Sequence, residues 1–183
     1  MLPNNPMHSK YFIAIVLQDN LLEKAEGLKH ELFNKHGLKG ALRSPAHITL
    51  HRPFEWKTEK ENILIETLKQ FSFTNKFTVD LNNFNCFEPR VIYIDVMRNE
   101  KLYDLHDKLT KFCKLKLKLF NEADDERGFK PHITIAFRDL KKPLFYKLWD
   151  EFKNKKFSES LPVTRFSLLR LDEKWDVIAD FNI

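Results

Sequence analysis

Two short segments carry the makings of a catalytic pair. Pro45-Ala46-His47-Ile48-Thr49-Leu50 and Pro131-His132-Ile133-Thr134-Ile135 each contain His-Ile-Thr. The chain's own composition yields that tripeptide on the order of 0.02 times by chance, yet it occurs twice. In a strand, residues i and i+2 share a face. His47 and Thr49 therefore point one way, with Ile48 and Leu50 turned into a core; His132 and Thr134 oppose Ile133 and Ile135 in the same manner. An imidazole, with an ordinary pKa of about 6.5, takes or gives a proton near neutral pH. Two of them across a phosphodiester can divide the work, one as base on the attacking water and one as acid on the leaving oxygen. The threonine hydroxyls can donate to the non-bridging oxygens, where charge accumulates. Neither histidine has Asp, Glu or Cys at ligand spacing, which makes a poor zinc set. No metal or other cofactor is expected.

The rest of the chain supplies the elements that must hold these motifs, and supplies them twice. Tyr11 to Leu17 is a short apolar run rich in β-formers, hence a buried strand. Asp19 or Asn20 can cap a helix to about His36, with Gly37 and Gly40 ending it. Pro45 opens the strand Ala46 to about Arg52, and Pro53 closes it. A helix over about 58–70 and an alternating strand, Phe77 to Phe84, complete the first half. The second half reads as a strand, Val91 to Met97, a helix marked by Leu102, Leu105, Leu109, Phe112 and Cys113, and the strand His132 to Arg138. A helix with Leu144, Leu148, Trp149 and Phe152 follows. An antiparallel hairpin, Val163 to Leu171 and Trp175 to Ile183, ends the chain. Matching elements are offset by roughly 80 to 86 residues, right for a duplicated half-domain. The expected fold is α+β and bilobal: pseudo-twofold half-domains, antiparallel or mixed sheets and flanking helices around a central cleft. Residues 1–10 read as a loose tail, 11–183 as one domain with halves at about 11–88 and 90–183. Pairing of the two motif strands would bring both imidazoles into the cleft.

Composition narrows the possibilities further. The chain has 183 residues, 43% hydrophobic and 31% charged, enough for a real core in one domain. Four glycines cannot write a Walker or Rossmann phosphate loop. No run approaches the ~20 apolar residues of a membrane helix. Phe12 to Leu17 lacks a basic stretch before it, so it is not a signal peptide. Cys86 and Cys113 are too few for a disulfide framework and fit a reducing cytoplasm. The net charge of +5 tolerates an anionic partner without demanding nucleic acid.

Paired His-Ile-Thr motifs on equivalent strands of a duplicated α+β chain resemble the two-histidine (2H) phosphoesterase superfamily, and within it the 2′–5′ RNA ligase-like and RNA 2′,3′-cyclic phosphodiesterase group. The resemblance spans about Tyr11 to Ile183. It implies a bilobal cytoplasmic enzyme that opens 2′,3′-cyclic phosphates without metal, with His47, Thr49, His132 and Thr134 as catalytic residues and 2′–5′ ligation as the reverse reaction. Many RNA-acting relatives carry an arginine soon after the second motif. The nearest here is Arg138, one residue further along; strand alternation puts it on the face of His132 and Thr134, where it could bind a phosphate or a base.

The expected partner is a phosphodiester, an RNA end or a cyclic nucleotide, met by a monomer away from membranes. The alternative is a binding module that holds such an end without turning it over. His51 shares the strand face of Thr49 and is a second substrate-binding candidate. Phe54, Trp56 and Phe87 could wall a base but more readily fill a core. The Lys111 to Lys118 run reads as a solvated helix face, and Glu122 to Arg127 as a loop that could gate the cleft.

Overall fold

The computed structural model describes residues 7–74, 76–121 and 128–183. The expected gating loop and most of the expected tail fall outside the described residues. The chain runs β1 (His8–Val16), α1 (Asp19–His36), β2 (His47–Lys57), α2 (Glu61–Leu68), β3 (Phe77–Phe87), β4 (Val91–Val96), α3 (Glu100–Phe112), β5 (His132–Ala136), α4 (Lys142–Phe152), β6 (Ser158–Val163), β7 (Arg165–Leu171) and β8 (Trp175–Asn182). The strands form two four-stranded sheets, ordered β2-β1-β7-β8 and β5-β4-β3-β6. Pairing is antiparallel throughout the described residues. The α+β expectation holds, and the sheets are antiparallel rather than mixed.

Local sequence explains most of these elements. Tyr11 to Ile15 is buried on both faces because β1 lies inside its sheet. Gly37 takes a left-handed conformation (φ 70°), and its N–H bonds the Phe33 carbonyl at 2.7 Å, which closes α1. At the other end of α1 the cap residue is Gln18, with no side-chain cap, rather than Asp19 or Asn20. Asn99 caps α3 by accepting from the N–H groups of Lys101 and Leu102, and Leu102, Leu105 and Leu109 bury one stripe. Strand β1 starts at His8, earlier than expected, because residues 8–10 pair with 55–57 of β2.

Strand β2 runs straight past Pro53, which was expected to end it. As an edge strand, β2 has an unpaired side where a missing N–H costs no ladder bond. The helix expected from 58 starts as a 3-10 turn, with α2 proper at 61–68. Strand β6 was not foreseen: Ser158 to Val163 is short, polar-rich and interrupted by Pro162, and also occupies a sheet edge.

The duplication is real, but each lobe is not one half of the sequence. The sheet orders match position by position: β2 with β5, β1 with β4, β7 with β3, β8 with β6. The first half therefore lends β3 to the second half's sheet, where it pairs β4, and the second half lends β7 and β8 to the first half's sheet, where β7 pairs β1. The helices cross over as well, α1 packing on β5 and α3 on β2. One continuous buried cluster joins residues of both sheets and all four helices. The motif strands β2 and β5 do not pair. They are edge strands of different sheets, and they face each other across the seam.

Candidate active site

The two motifs occupy the same structural position. Their first five residues share one burial sequence: His and Thr half-buried, the isoleucine between them buried, and the next two residues buried. The ladder explains the break in alternation. Thr49 lies opposite Ala14 and His51 opposite Ile13, so Leu50 is an extra residue in β2. Thr134 lies opposite Tyr93 and Ala136 opposite Ile92, so Ile135 is extra in β5. Each bulge turns the residue two past the threonine inward.

His51 is therefore not a cleft residue, which corrects the sequence expectation. It is fully buried, with Nδ1 on the Arg52 carbonyl at 3.0 Å and its ring edge-on to Phe54 at 5.4 Å. Its counterpart in β5 is the buried Ala136. Alternation counted across the bulge gave it the wrong face.

Between the sheets lies a cleft of about 240 Å³ lined by His47, Thr49, Thr134 and Arg138, together with Phe12, Lys29, Phe137 and Trp175. Arg138 arrives there by a different route from the one expected. Strand β5 ends at Ala136, and Arg138 has a left-handed backbone (φ 66°). Asp139 accepts from the N–H groups of Lys39 and Gly40 and so ties this segment to the turn before β2. A Cβ on Gly40 would fall 2.4 Å from the Phe137 carbonyl, so only glycine permits the approach. His132 is not among the residues lining this cavity; it lies on the strand face of Thr134, within electrostatic reach of His47, edge-on to Phe87 and tilted on Tyr93, each at 5.0 Å. Of the three aromatics considered for a base wall, Phe87 is at the site. Phe54 is buried on Tyr11, and Trp56 bonds the Lys60 carbonyl.

Both rings are pinned alike. His47 Nδ1–H donates to the Pro45 carbonyl at 2.6 Å, and His132 Nδ1–H donates to the Lys130 carbonyl at 2.7 Å. A carbonyl only accepts, so each neutral ring keeps its proton on Nδ1 and its lone pair on Nε2. Each is thereby ready to take a proton at the atom away from the backbone.

Their electrostatics differ. Burial is the main cause that lowers His47, to about 4; the Lys29 ammonium and His132 add to the fall, and the bond to Pro45 opposes it. Burial also lowers His132, but its backbone bond and the Asp95 carboxylate pull the other way. A proton therefore rests more readily on His132 than on His47. Tyr93, pushed up to about 12 by burial and then by Asp95, stays a neutral phenol beside it.

Sequence reading missed Lys29, Phe12 and Trp175. Lys29 is only 2% exposed; it donates to Glu26 at 2.8 Å and to the Ser44 carbonyl at 2.9 Å. Phe12 lies 4.8 Å from the His47 ring and edge-on to Trp175 at 4.7 Å. The only sequence signal for Lys29 was a lysine between Leu28 and Leu32 on an apolar helix face. Among the described residues, no group of three or more His, Cys, Asp or Glu could hold a metal ion, and no helix is long and apolar enough to cross a membrane.

Known proteins resemble this chain in sequence and in fold. A protein of Archaeoglobus fulgidus named RNA 2′,3′-cyclic phosphodiesterase is 27% identical over 180 residues, 95% of this chain and 98% of its own. The crystal structure of E. coli LigT complexed with 3′-AMP superposes with a TM-score of 0.66 at 22% identity, covering 97% of this chain and 99% of that one. The crystal structure of TT0787 of Thermus thermophilus gives a TM-score of 0.62 at 20% identity, over 94% and 97%. The sequence profile of the 2′-5′ RNA ligase superfamily matches residues 17–175, and the chain belongs to that superfamily of two-histidine phosphoesterases.

Proposed function

We propose that this phosphoesterase opens 2′,3′-cyclic phosphates by two-histidine acid–base catalysis without metal, and that RNA ends are its substrate class. One observation carries the reading. Two imidazoles on facing edge strands have the same tautomer, fixed by the same backbone contact, beside a cleft that also holds two threonines and an arginine. The A. fulgidus relative, named for an RNA 2′,3′-cyclic phosphate, supports the substrate class.

The chemistry balances within this set. The cyclic phosphodiester sits with its non-bridging oxygens toward Thr49, Thr134 and Arg138, whose donors strengthen as charge develops there. A water oxygen attacks phosphorus while one Nε2 lone pair removes its proton. The bond from phosphorus to one ribose oxygen breaks, and the other imidazole, protonated on Nε2, gives that oxygen its proton. The products are a phosphomonoester and a free hydroxyl, and the proton has moved from one ring to the other. With a 5′-hydroxyl and a cyclic end as reactants the same groups make a 2′–5′ linkage, so ligation is the second expected activity. Arg138 and Trp175 offer charge and a flat face to the nucleotide.

The test is a panel of phosphodiesters assayed in EDTA: an oligonucleotide with a 2′,3′-cyclic end, nucleoside cyclic phosphates and 2′–5′-linked dinucleotides. Ring opening that persists in EDTA and is lost in both His47→Ala and His132→Ala supports the reading. Full activity in either variant, or activity that needs added zinc, overturns it. Formation of the 2′- or the 3′-phosphate identifies the leaving oxygen.

A further inference from the structure

Beneath the cleft, α1 carries an ion pair, buried Lys29 with half-buried Glu26, that the reaction above does not use. We infer that Glu26 and Lys29 are the positioning pair for His47: they clamp residues 44–46, whose Pro45 carbonyl orients the ring, and they set an ammonium beside it in the cleft wall. The inference rests on His47 being one of the two reacting imidazoles.

The clamp is built from short contacts on both sides of Pro45. Lys29 Nζ donates to the Ser44 carbonyl at 2.9 Å, and Glu26 Oε1 accepts from the Ala46 N–H at 2.7 Å. The same Oε1 receives Lys29 Nζ at 2.8 Å, so the two holds are one unit. Pro45 sits between them, and its carbonyl takes the His47 Nδ1–H at 2.6 Å. A shift of this backbone would move the ring and its tautomer lock together. Misplacing a reacting group by about 1 Å costs on the order of 10²-fold in rate.

Burial says what else the pair does. A lysine 2% exposed is rare without a reason, because an ammonium loses most of its hydration there. Desolvation accordingly lowers the Lys29 pKa against the support of Glu26. Two of its three N–H groups are met by Glu26 and Ser44, and Lys29 lines the cleft with His47. The charged groups facing His47 are Lys29 with its partner Glu26 on α1, His132 on β5 and Arg138 beyond β5; β1 presents the uncharged Phe12 and β8 the uncharged Trp175. Lys29 and His132 are the cationic influences on the ring. The ammonium adds to burial in disfavouring the protonated His47, and an entering phosphate anion, lying beside both, offsets that addition.

The test is ring-proton NMR of both histidines across pH, together with steady-state kinetics. Lys29→Met keeps the length of the side chain and removes its charge. The His47 midpoint should rise by about one unit while that of His132 stays put. The limb of the kcat/KM pH profile that follows His47 should move with it. Glu26→Ala should lower kcat about tenfold or more at little change in KM. Glu26→Gln, which keeps an oxygen for the Ala46 N–H, should recover most of that loss. Both midpoints moving together, neither moving, or Glu26→Gln as impaired as Glu26→Ala would each leave the pair a packing feature and overturn the inference. Because the titrations need no turnover, they separate this failure from that of the two-histidine reading, which His47→Ala decides.

Discussion

The two copies of His-Ile-Thr sit on the same backbone in different surroundings. Position by position, β2 and β5 share the bulge after the threonine, the burial sequence and the Nδ1 contact to the carbonyl two residues back. What differs is the rest of the surroundings of the rings. Opposite His132 on β4 stands Asp95; opposite His47 on β1, at the matching place, stands Val16. The segment before the first motif is gripped from α1 by the Glu26–Lys29 pair. The segment before the second is gripped from α3 by aromatic stacking, His106 lying flat on Phe129 at 3.8 Å with Tyr103 edge-on at 5.2 Å. Each grip uses residues three apart on its helix, but one adds a cation to the site and the other does not. The duplicated frame gives two histidines of the same tautomer, and the unequal neighbours let them hold protons with different strengths, as the proposed division into acid and base requires.

The largest test of this comparison removes the carriers. His47→Ala and His132→Ala should each cut turnover of a 2′,3′-cyclic phosphate by roughly 10²–10⁴, measured as initial rates in EDTA. The double variant should be little worse than either single, because a base without its acid finishes no cycle.

The next effect is on stability, and it should separate the two halves. His47 titrates at about 4 in the fold, against about 6.5 in an unfolded chain. A histidine with a depressed folded pKa favours the native state fully above its unfolded pKa. It loses that contribution as pH falls from about 6.5 to about 4, by up to about 3 kcal/mol. Urea unfolding at pH 7 and pH 4.5 should show the loss, and His47→Gln should shrink it. If His132→Gln shrinks it more, the assignment of the deeper depression to His47 fails.

The hydroxyls come third. Thr49→Val and Thr134→Val keep the β-branched shape and delete one donor each, with an expected loss of about 10² in kcat. Equal losses mean that the phosphate straddles the pseudo-twofold axis; a loss confined to one variant means that it leans on one half.

The duplication, the α+β class and the motif strands were legible because apolar periodicity and the repeated tripeptide are local signals; the choice of antiparallel over mixed sheets was not. The first helix ends at His36 as expected because Gly37 marks its end, whereas its start is capped by Gln18 rather than Asp19 or Asn20. What escaped was non-local. Nothing in Leu50-His51-Arg52 announces a bulge; it arises from register against β1, and it turned His51 from a cleft residue into a core one. Arg138 was reached by the right residue and the wrong path, since its placement depends on Gly40 and Asp139, far apart in sequence. Lys29 and the exchange of β3 and β7 between lobes are properties of assembly that no single segment encodes.

The smallest and sharpest test exchanges the partners of the two rings. Asp95→Asn takes the carboxylate from His132 and should lower its midpoint by about one unit. Val16→Asp places a carboxylate opposite His47 and should raise that midpoint by a similar amount. Val16 is only partly buried, against Phe12, Ala14 and Leu169, so the new charge keeps access to water and the fold should bear it. In the double variant the two midpoints should move toward each other or cross, read by ring-proton NMR across pH 3 to 8 (about five units). If His47 stays near its starting midpoint with a carboxylate beside it, desolvation alone sets the difference between the halves. The residues opposite the motifs would then be bystanders. If the midpoints converge, one strand position, Val16 against Asp95, carries much of what tells the two histidines apart.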